Sequence, residues 1–584
     1  MIILNKNFEK VKMRFKKNPL EFLALSYILL FLYQRVMPFM DEADNILGGM
    51  SIARGHDIYK AYFSQHVPFA YYLSAIFTLL GAHEYEAYRF FWSIFVFLIW
   101  VFIYIRYKDF LGKKTIILFT LLYSLMLNYT WGQMFLSDSM EGLSLVIILI
   151  ELLRFWQRHE LKIIDMTVIS IFTFVSVMSA FVSLYALFFL FVAFIFHELK
   201  WQRHSKQRLK FCFSFGWIMA FPFLVFLIWY GLSKNLDNFI FQAYQFNRIY
   251  YSKYIAGFGS SALGAVLSTF KGWINFISLS LTQPNSKDLI PTLLIGFDLL
   301  FLSKIFKKER IFAVLLFLFV GFTGLRGYSS FHAAPFYYIS FVFASHFFFD
   351  SLRTRMELTV YQSHFYKGMM FLLILLASNS YLSNVGSGMH KPWGSMGSTP
   401  YDAYISKLTT PIDKIWISNL YTFSYIHNHR EPSSRVATLV PWFNDAFRNE
   451  ILQDIKDNRP KLIVFDPEED VWGHKYKDFG KEIFIFVQMS YKPLNEFDPI
   501  ARNIYVPQEM LKYDTLKMWP GNSNLRDGLL VSDSNTNKVY LIENFKKRYI
   551  VSTDAFNRHG YNWSEVVTLP PTQLSTVVPG KPVE

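Results

Sequence analysis

The chain has 584 residues and a formal net charge of +14, and 53% of its residues are hydrophobic, 19% aromatic and only 17% charged. Soluble domains carry about 25% charged residues, so the composition excludes an ordinary soluble protein and predicts an α-helical polytopic membrane protein. The basic residues lie in short clusters between apolar segments, which indicates membrane topology and not nucleic-acid binding, and the single cysteine excludes a disulfide framework.

The first predicted element is an apolar span over residues 20–37, which follows a basic N-terminus. Basic residues remain on the cytoplasmic side of a membrane, so this retained anchor should deliver the next stretch, residues 37–72, to the outer face. There the adjacent acids Asp41 and Glu42 lie at the membrane surface, where carboxylates are kept mainly for function. Two short apolar segments, 44–54 and 68–81, are predicted to lie as helices in the outer interface.

Further spans follow along the chain, to a total of about eleven. They are predicted over residues 88–107, 115–131, 140–156, 165–180, 181–196, 211–231, 289–302, 311–325, 336–349 and 368–382. The basic loops at 197–210 and 304–310 are then cytoplasmic. The same rule keeps residues 233–287 outside, as a large loop with an interfacial or re-entrant helix, and it places everything after residue 383 outside.

The composition becomes soluble after this membrane domain of residues 1–383. Strand-like 414–418 and 461–466 flank a helical pattern over 447–460, which predicts an extracytoplasmic α/β module over residues 384–510. Residues 511–584 are predicted to form a small β-rich tail. That tail resembles a short repeat of some exported bacterial wall proteins through Tyr549, Phe556, Gly560, Tyr561 and Trp563.

The acid pair and its surroundings carry a second resemblance. The segments DEADNILGGMSIARGHDIY, HVPFAYYLSAIFTLLG and AYRFFWS resemble the first outer loop of the GT-C membrane glycosyltransferases, in the branch of protein O-mannosyltransferases and the lipid A aminoarabinose transferase. The resemblance covers roughly residues 19–380. It implies a GT-C-like fold, catalysis by Asp41 and a polyprenyl-phosphate sugar donor used on the outer face. Residues 64–68 read SQHVP where the aminoarabinose branch has Glu-Lys-Pro, so the aminoarabinose substrate is not implied.

Glycosyl transfer needs a base for the acceptor hydroxyl and stabilisation of the departing phosphate. Asp41 is the predicted base, with Glu42 beside it in the catalytic pair. The predicted substrate-binding residues are His66, Asp138, Arg248, Tyr251, Lys253, Arg326 and His332. Arg248, Lys253 and Arg326 are the candidate phosphate partners. No cofactor is certain, but a divalent cation is left open, and Glu42, Asp138 and His66 could either hold it or orient the acceptor.

The expected enzyme is a hexosyl- or pentosyltransferase of a bacterial plasma membrane, acting on a cell-surface glycan, lipid or protein. Other interpretations stay open. Asp41, Glu42 and Asp138 are also suited to capping helices, and His332 and the tyrosines of residues 244–254 to an interfacial aromatic belt. At the level of the whole protein, the alternatives are a transporter or flippase of lipid-linked sugars, and a membrane anchor for a wall-binding module.

Overall fold

The computed structural model of the chain describes most of its residues, and they form two compact units, residues 1–398 and 399–584. The described residues are 19–36, 38–201, 205–254, 267, 270–272, 274–275, 277–279, 282, 286–326, 331–353, 360–389, 395–419, 421–495, 498–507, 528–543, 546–563, 566–569, 571–575 and 577–584. The division into domains 1–383, 384–510 and 511–584 stays a prediction.

The first unit is helical. Its helices are α1 (Pro19–Leu32), α2 (Met40–Ala53), α3 (Phe69–Leu79), α4 (Tyr85–Leu111), α5 (Lys113–Leu125), α6 (Leu127–Thr130), α7 (Ser137–Arg158), α8 (Ile163–Ser179), α9 (Ser183–Trp201), α10 (Ser205–Leu232), α11 (Leu236–Ile240), α12 (Phe246–Ile249), α13 (Ser286–Lys308), α14 (Arg310–Thr323), α15 (Ala334–Arg353) and α16 (Val360–Met389). Single turns of 3₁₀-helix cover Tyr33–Arg35, Tyr251–Lys253 and Phe331–Ala333, and a π-helix covers Phe241–Gln245.

Most of the predicted spans coincide with one of these helices, while the span predicted over 115–131 covers both α5 and α6 and the span predicted over 20–37 runs past the end of α1. The two predicted interfacial segments coincide largely with α2 and α3. Within the described ranges, five helices are long and apolar enough to cross a membrane, or up to six if α1 and α2, which are bent by 96° at their break, count as one span. The chain is therefore a multi-pass membrane protein. The count of about eleven crossings stays a prediction, and much of the predicted re-entrant region, 255–285, lies outside the described residues.

Two close helix contacts position the loops at one end of this unit. A Cβ atom on Gly49 of α2 would lie 2.3 Å from Ser74 of α3, and one on Gly142 of α7 would lie 2.7 Å from Tyr338 of α15. Such distances are well below van der Waals contact, so only glycine allows these helices to approach so closely. These contacts hold α2 against α3 and α7 against α15, and the first turns of α2 and α7 carry Asp41 and Asp138.

The second unit contains two five-stranded sheets. Their strands are β1 (Lys414–Ile417), β2 (Glu431–Pro432), β3 (Leu462–Val464), β6 (Tyr491–Pro493), β7 (Ile504–Pro507), β8 (Leu530–Asp533), β9 (Val539–Glu543), β10 (Lys546–Tyr549), β11 (Val567–Leu569) and β12 (Val578–Pro579), while β4 (Asp470–Val471) and β5 (His474–Lys475) form a separate hairpin. The first sheet has the order β2-β1-β3-β7-β6 and the second the order β11-β8-β9-β10-β12. The helices are α17 (Asp402–Leu408), α18 (Phe423–His427), α19 (Pro441–Asn458), α20 (Tyr476–Phe479), α21 (Lys481–Ser490), α22 (Thr553–Arg558) and α23 (Pro571–Ser575).

The two strands predicted for the α/β module are β1 and β3. They pair in parallel, with Ile415 opposite Leu462, and the connection between them contains α19. A parallel pair needs such a crossover, so the strand–helix–strand pattern in the sequence corresponds to one structural motif. The tail beyond residue 528 forms the second sheet, and this confirms the predicted β-rich region at the C-terminal end.

Candidate active site

The first turn of α2 separates the predicted catalytic pair onto two sides of the helix. Residues three apart on a helix share a face, whereas adjacent residues do not. Asp41 therefore lies on the same face as Asp44, and both are partly exposed. Glu42 points away from them and is fully buried.

Glu42 is held in a buried ion pair. Its carboxylate accepts from the Arg89 guanidinium, at 2.7 Å from Nη2 and 2.9 Å from Nε, and from the backbone N–H of Phe135 at 2.9 Å. The Tyr85 hydroxyl donates to it as well. Arg89 in turn donates to the carbonyl oxygen of Val36. Glu42 thus connects α2, α4 and the residues before α7, which suits a structural role better than contact with a substrate.

Asp44 is the centre of a second network. Its Oδ1 accepts from the Tyr62 hydroxyl at 2.8 Å, and its Oδ2 accepts from the Tyr71 hydroxyl at 2.6 Å and from Ser64 Oγ at 3.3 Å. The same oxygen lies 3.2 Å from His66 Nδ1. These contacts fold the loop between α2 and α3 back over the first turns of α2.

The charge of His66 depends on this network. Burial by itself would lower the pKa of His66, but the hydrogen bond to Asp44 and the charges of Asp44 and Asp41 outweigh it, and the pKa lies above its ordinary value of 6.5. His66 therefore stays protonated to a higher pH than an ordinary histidine does. Because the ring is about one third exposed, this positive charge is accessible from outside the protein.

Asp138 is the centre of the other half of the site, at the start of α7. Its Oδ1 lies 2.8 Å from Nη1 of Arg326, which follows α14, and 3.0 Å from Nδ1 of His332. Glu141, one turn later, lies 3.8 Å from the same nitrogen of Arg326. Three of the predicted substrate-binding residues, which are separated by up to 194 positions in the chain, are thus in contact.

An aromatic cluster brings the two halves to the same end of the helices. The Phe39 ring lies 5.0 Å from both the Trp131 ring and the Phe331 ring, and Trp131 stacks on Phe331 at 5.4 Å. These three residues precede Asp41, Asp138 and His332, respectively. Their packing, with Met134 and Leu136 beneath, therefore fixes the positions of the polar side chains that follow.

Asp41 lies between the two halves. Its carboxylate interacts electrostatically with His66, Asp44, His332 and Asp138, and it makes no hydrogen bond to any other described residue. Burial, and then the nearby Asp41 charge, raise the pKa of Tyr251 to about 12, so Tyr251 is also a neighbour of the site. Asp41 is thus a carboxylate that interacts with His66 and His332. Since no other described residue hydrogen-bonds to its oxygens, they can accept a hydrogen bond from a ligand.

The remaining two candidates lie apart from this group. Arg248 is exposed, and its side chain makes no contact with Asp41 or Asp138 in the described part of the chain. The Lys253 ammonium lies over the Tyr250 ring, 5.2 Å from its centre. Both are on the segment of residues 236–254, which binds the loop between α2 and α3 through Gln242 and Asn247.

Comparison with known proteins adds a set of structural similarities. The chain is similar to the apo oligosaccharyltransferase of Archaeoglobus fulgidus, with a TM-score of 0.45 and 16% identity over 78% of this chain and 70% of that one. It is also similar to ArnT of Cupriavidus metallidurans bound to undecaprenyl phosphate, with a TM-score of 0.47 and 11% identity over 83% and 97% of the two chains. Both are GT-C glycosyltransferases, the group that the sequence resembles. No protein-family model and no curated protein matches the chain.

A divalent cation lacks a ready ligand set in the described residues. No group of three or more His, Cys, Asp or Glu side chains among them is arranged to hold a metal, and Asp138 already pairs with Arg326 and His332. One of the similar Archaeoglobus fulgidus structures is a complex with Zn and sulfate. Among the residues that the structure describes, the carboxylates at this end of the helices are used in contacts with cations and hydroxyl groups of the protein itself.

The sequence reasoning missed Asp44, Ser64, Tyr71 and Glu141. The spacing of Asp44 from Asp41 would have identified it, because three residues place both acids on one helical face. The same rule would have paired Asp138 with Glu141. Nothing local to Ser64 or Tyr71 indicated their contact with Asp44, which forms only when α3 packs against α2.

Proposed function

We propose that the chain is a membrane glycosyltransferase that moves a sugar from a polyprenyl-phosphate donor to a cell-surface acceptor, with Asp41 as the base. The observation that carries this proposal is the arrangement around Asp41. Its carboxylate makes no hydrogen bond to another described residue, and it interacts electrostatically with His66 and with Arg326, whose guanidinium suits a phosphate. Two of the similar structures contain lipid phosphates, dolichol phosphate and undecaprenyl phosphate. For this chain, the donor class is inferred from the charges of the site.

Asp41 suits the role of base because no other described residue hydrogen-bonds to its oxygens. A general base must reach the hydroxyl proton that it removes within about 2.6–3.2 Å, and an acceptor can approach a carboxylate that makes no hydrogen bond to the described residues. The other acids are less suited. Glu42 and Asp138 are buried and paired, and Asp44 already accepts several hydrogen bonds.

Arg326 suits the donor phosphate. Its contacts with Asp138 and Glu141 both use Nη1. No ion pair within the described ranges uses its Nε–H and Nη2–H groups, and its side chain is 23% exposed. A guanidinium can bind a phosphate through two parallel hydrogen bonds. His332, which contacts Asp138, and Tyr251, which interacts electrostatically with Arg326, are the neighbours that a bound phosphate would meet.

The sugar and the acceptor are best found by mass spectrometry of surface polymers and lipids from cells with and without the protein. The cells that lack the protein should then be complemented with wild-type protein, Asp41→Asn or Asp57→Asn. Asp41→Asn keeps the side-chain shape but cannot accept the proton, so we expect the missing sugar not to return. Asp57 is exposed and pairs only with Lys60, so Asp57→Asn should restore it. Restoration by Asp41→Asn at normal expression would refute the assignment of the base.

One observation favours the transporter alternative. Asp298 lies near the middle of α13, is fully buried and is hydrogen-bonded to Ser340 at 2.7 Å. Ionisable residues inside membrane helices often mark transport paths. Under this alternative, reconstituted wild-type protein should move a labelled lipid-linked sugar between leaflets without forming product, and Asp298→Asn should abolish that movement.

A further inference from the structure

Asp44 accepts hydrogen bonds from several side chains of the protein itself. Tyr62, Tyr71 and Ser64 all donate to its carboxylate, and His66 Nδ1 lies 3.2 Å from it. Its lone pairs are therefore engaged by the protein itself. A carboxylate whose lone pairs are engaged in this way is suited to act on the reaction through a neighbouring side chain. That neighbour is His66, because its Nδ1 contacts Asp44 and its Nε2 has no hydrogen-bond partner among the described residues.

His66 is held by contacts at its backbone N–H, its carbonyl oxygen and its ring nitrogen Nδ1. Its backbone N–H donates to Ser64 Oγ at 3.1 Å, its carbonyl oxygen accepts from the Tyr59 hydroxyl at 2.7 Å, and Nδ1 faces Asp44. Nε2 has no hydrogen-bond partner within the described ranges. A ring held through Nδ1 by a carboxylate has a defined orientation at Nε2, as in many histidine sites.

The proposed base and the proposed phosphate partner are both among the charged neighbours of His66. Asp41 and Asp44 on α2, Asp138 on α7 and Arg326 beyond α14 all act electrostatically on it, and the Tyr71 hydroxyl of α3 lies 3.4 Å from Nδ1. His66 is thus a neighbour of both the proposed base and the proposed phosphate partner.

We propose that Asp44 is a positioning residue that orients His66 and keeps it protonated, so that the Nε2–H group binds the donor phosphate and stabilises it as it departs. This inference rests on the proposed function. In the transfer step, Asp41 takes the proton of the acceptor hydroxyl, the acceptor oxygen bonds to the anomeric carbon, and the bond from that carbon to the phosphate oxygen breaks. The electron pair stays on the phosphate oxygen, to which Nε2–H donates a hydrogen bond. No proton need leave His66.

The test uses undecaprenyl phosphate as the probe and the purified full chain in detergent. Its affinity is measured from pH 5.5 to 9 for the wild-type protein, His66→Gln, Asp44→Asn and the control Asp57→Asn. A charge-assisted hydrogen bond changes affinity by roughly tenfold or more. We expect wild type and Asp57→Asn to bind at least about tenfold more tightly at neutral pH than His66→Gln. Asp44→Asn should bind normally at low pH and lose affinity at a lower pH than wild type.

The lipid phosphate also titrates, with a second pKa of about 6, so the wild-type profile alone is not diagnostic. The difference between wild type and His66→Gln isolates the histidine, and the shift in Asp44→Asn is a result that a purely structural role would not produce. Melting temperatures of all variants in the same detergent identify any that fail to fold, and in that case His66→Asn replaces His66→Gln. Binding with the same pH profile in wild type, His66→Gln and Asp44→Asn would overturn this inference alone. No binding by the wild-type protein would overturn the donor class and the inference together.

Discussion

Replacing Glu42 by Gln tests whether the second acid of the pair is structural or catalytic. Both partners of its ion pair are buried, with side-chain exposures of 1% for Arg89 and 0% for Glu42. Removing one partner of such a pair typically costs about 3–5 kcal/mol, because an uncompensated charge stays buried. A Gln amide group would also direct an N–H group at Arg89 or Tyr85, which are themselves donors. We therefore expect Glu42→Gln to lower the free energy of unfolding by several kcal/mol.

The assay is unfolding of the purified protein in detergent, combined with sugar transfer in complemented cells. A double-mutant cycle with Arg89→Met separates the pair energy from the rest. Because the two side chains are in direct contact, the double variant should be less destabilised than the sum of the single ones by about 1–3 kcal/mol. Transfer should fall only as far as the amount of folded protein falls.

Two results would refute this reasoning. If Glu42→Gln unfolds within about 0.5 kcal/mol of wild type, as an ordinary surface substitution does, the ion pair is not a structural element. If the variant is fully folded but inactive, Glu42 takes part in the chemistry, as the sequence suggested.

Three further outcomes are expected. Because the pKa of His66 is raised above 6.5, the stabilisation from its contact with Asp44 is complete below that pH and is lost as the pH rises through the folded-state pKa; the melting temperature of wild type should fall from pH 6.5 to 9 more than that of His66→Gln. Gly49→Ala should destabilise the protein by about 1–3 kcal/mol, because the added methyl group clashes with α3. The control Gly216→Ala should change the melting temperature little, because a Cβ atom there meets nothing within 4 Å. Equal effects of the two substitutions would contradict the close approach of α2 and α3. A truncation ending at Met510 should keep transfer to a soluble or lipid acceptor in detergent, because the tail sheet buries its own residues, such as Ile542 and Leu574; complete loss with an intact fold would count against it.

Several features of the protein follow from short stretches of sequence. Apolar length and charge are local properties, so the segments predicted to span the membrane lie largely on helices. The α/β pattern of the soluble part is local in the same sense, and it predicted β1 and β3 before their pairing was known. Asp41 could be selected because it stands beside a helix start among unusual neighbours.

The assembly of the site was decided by tertiary structure. Arg89 pairs with Glu42 from 47 positions away, and His332 contacts Asp138 from 194 positions away. No local period encodes such contacts, because they depend on how α2, α4, α7 and the residues after α14 pack. That packing buries Glu42 against Arg89, and it makes Asp44 the partner of His66. The sequence by itself determined which carboxylates are present at this end of the helices. The packing of the helices decided how each of them is used within the described residues, because donors from distant segments engage Glu42, Asp44 and Asp138 but not Asp41.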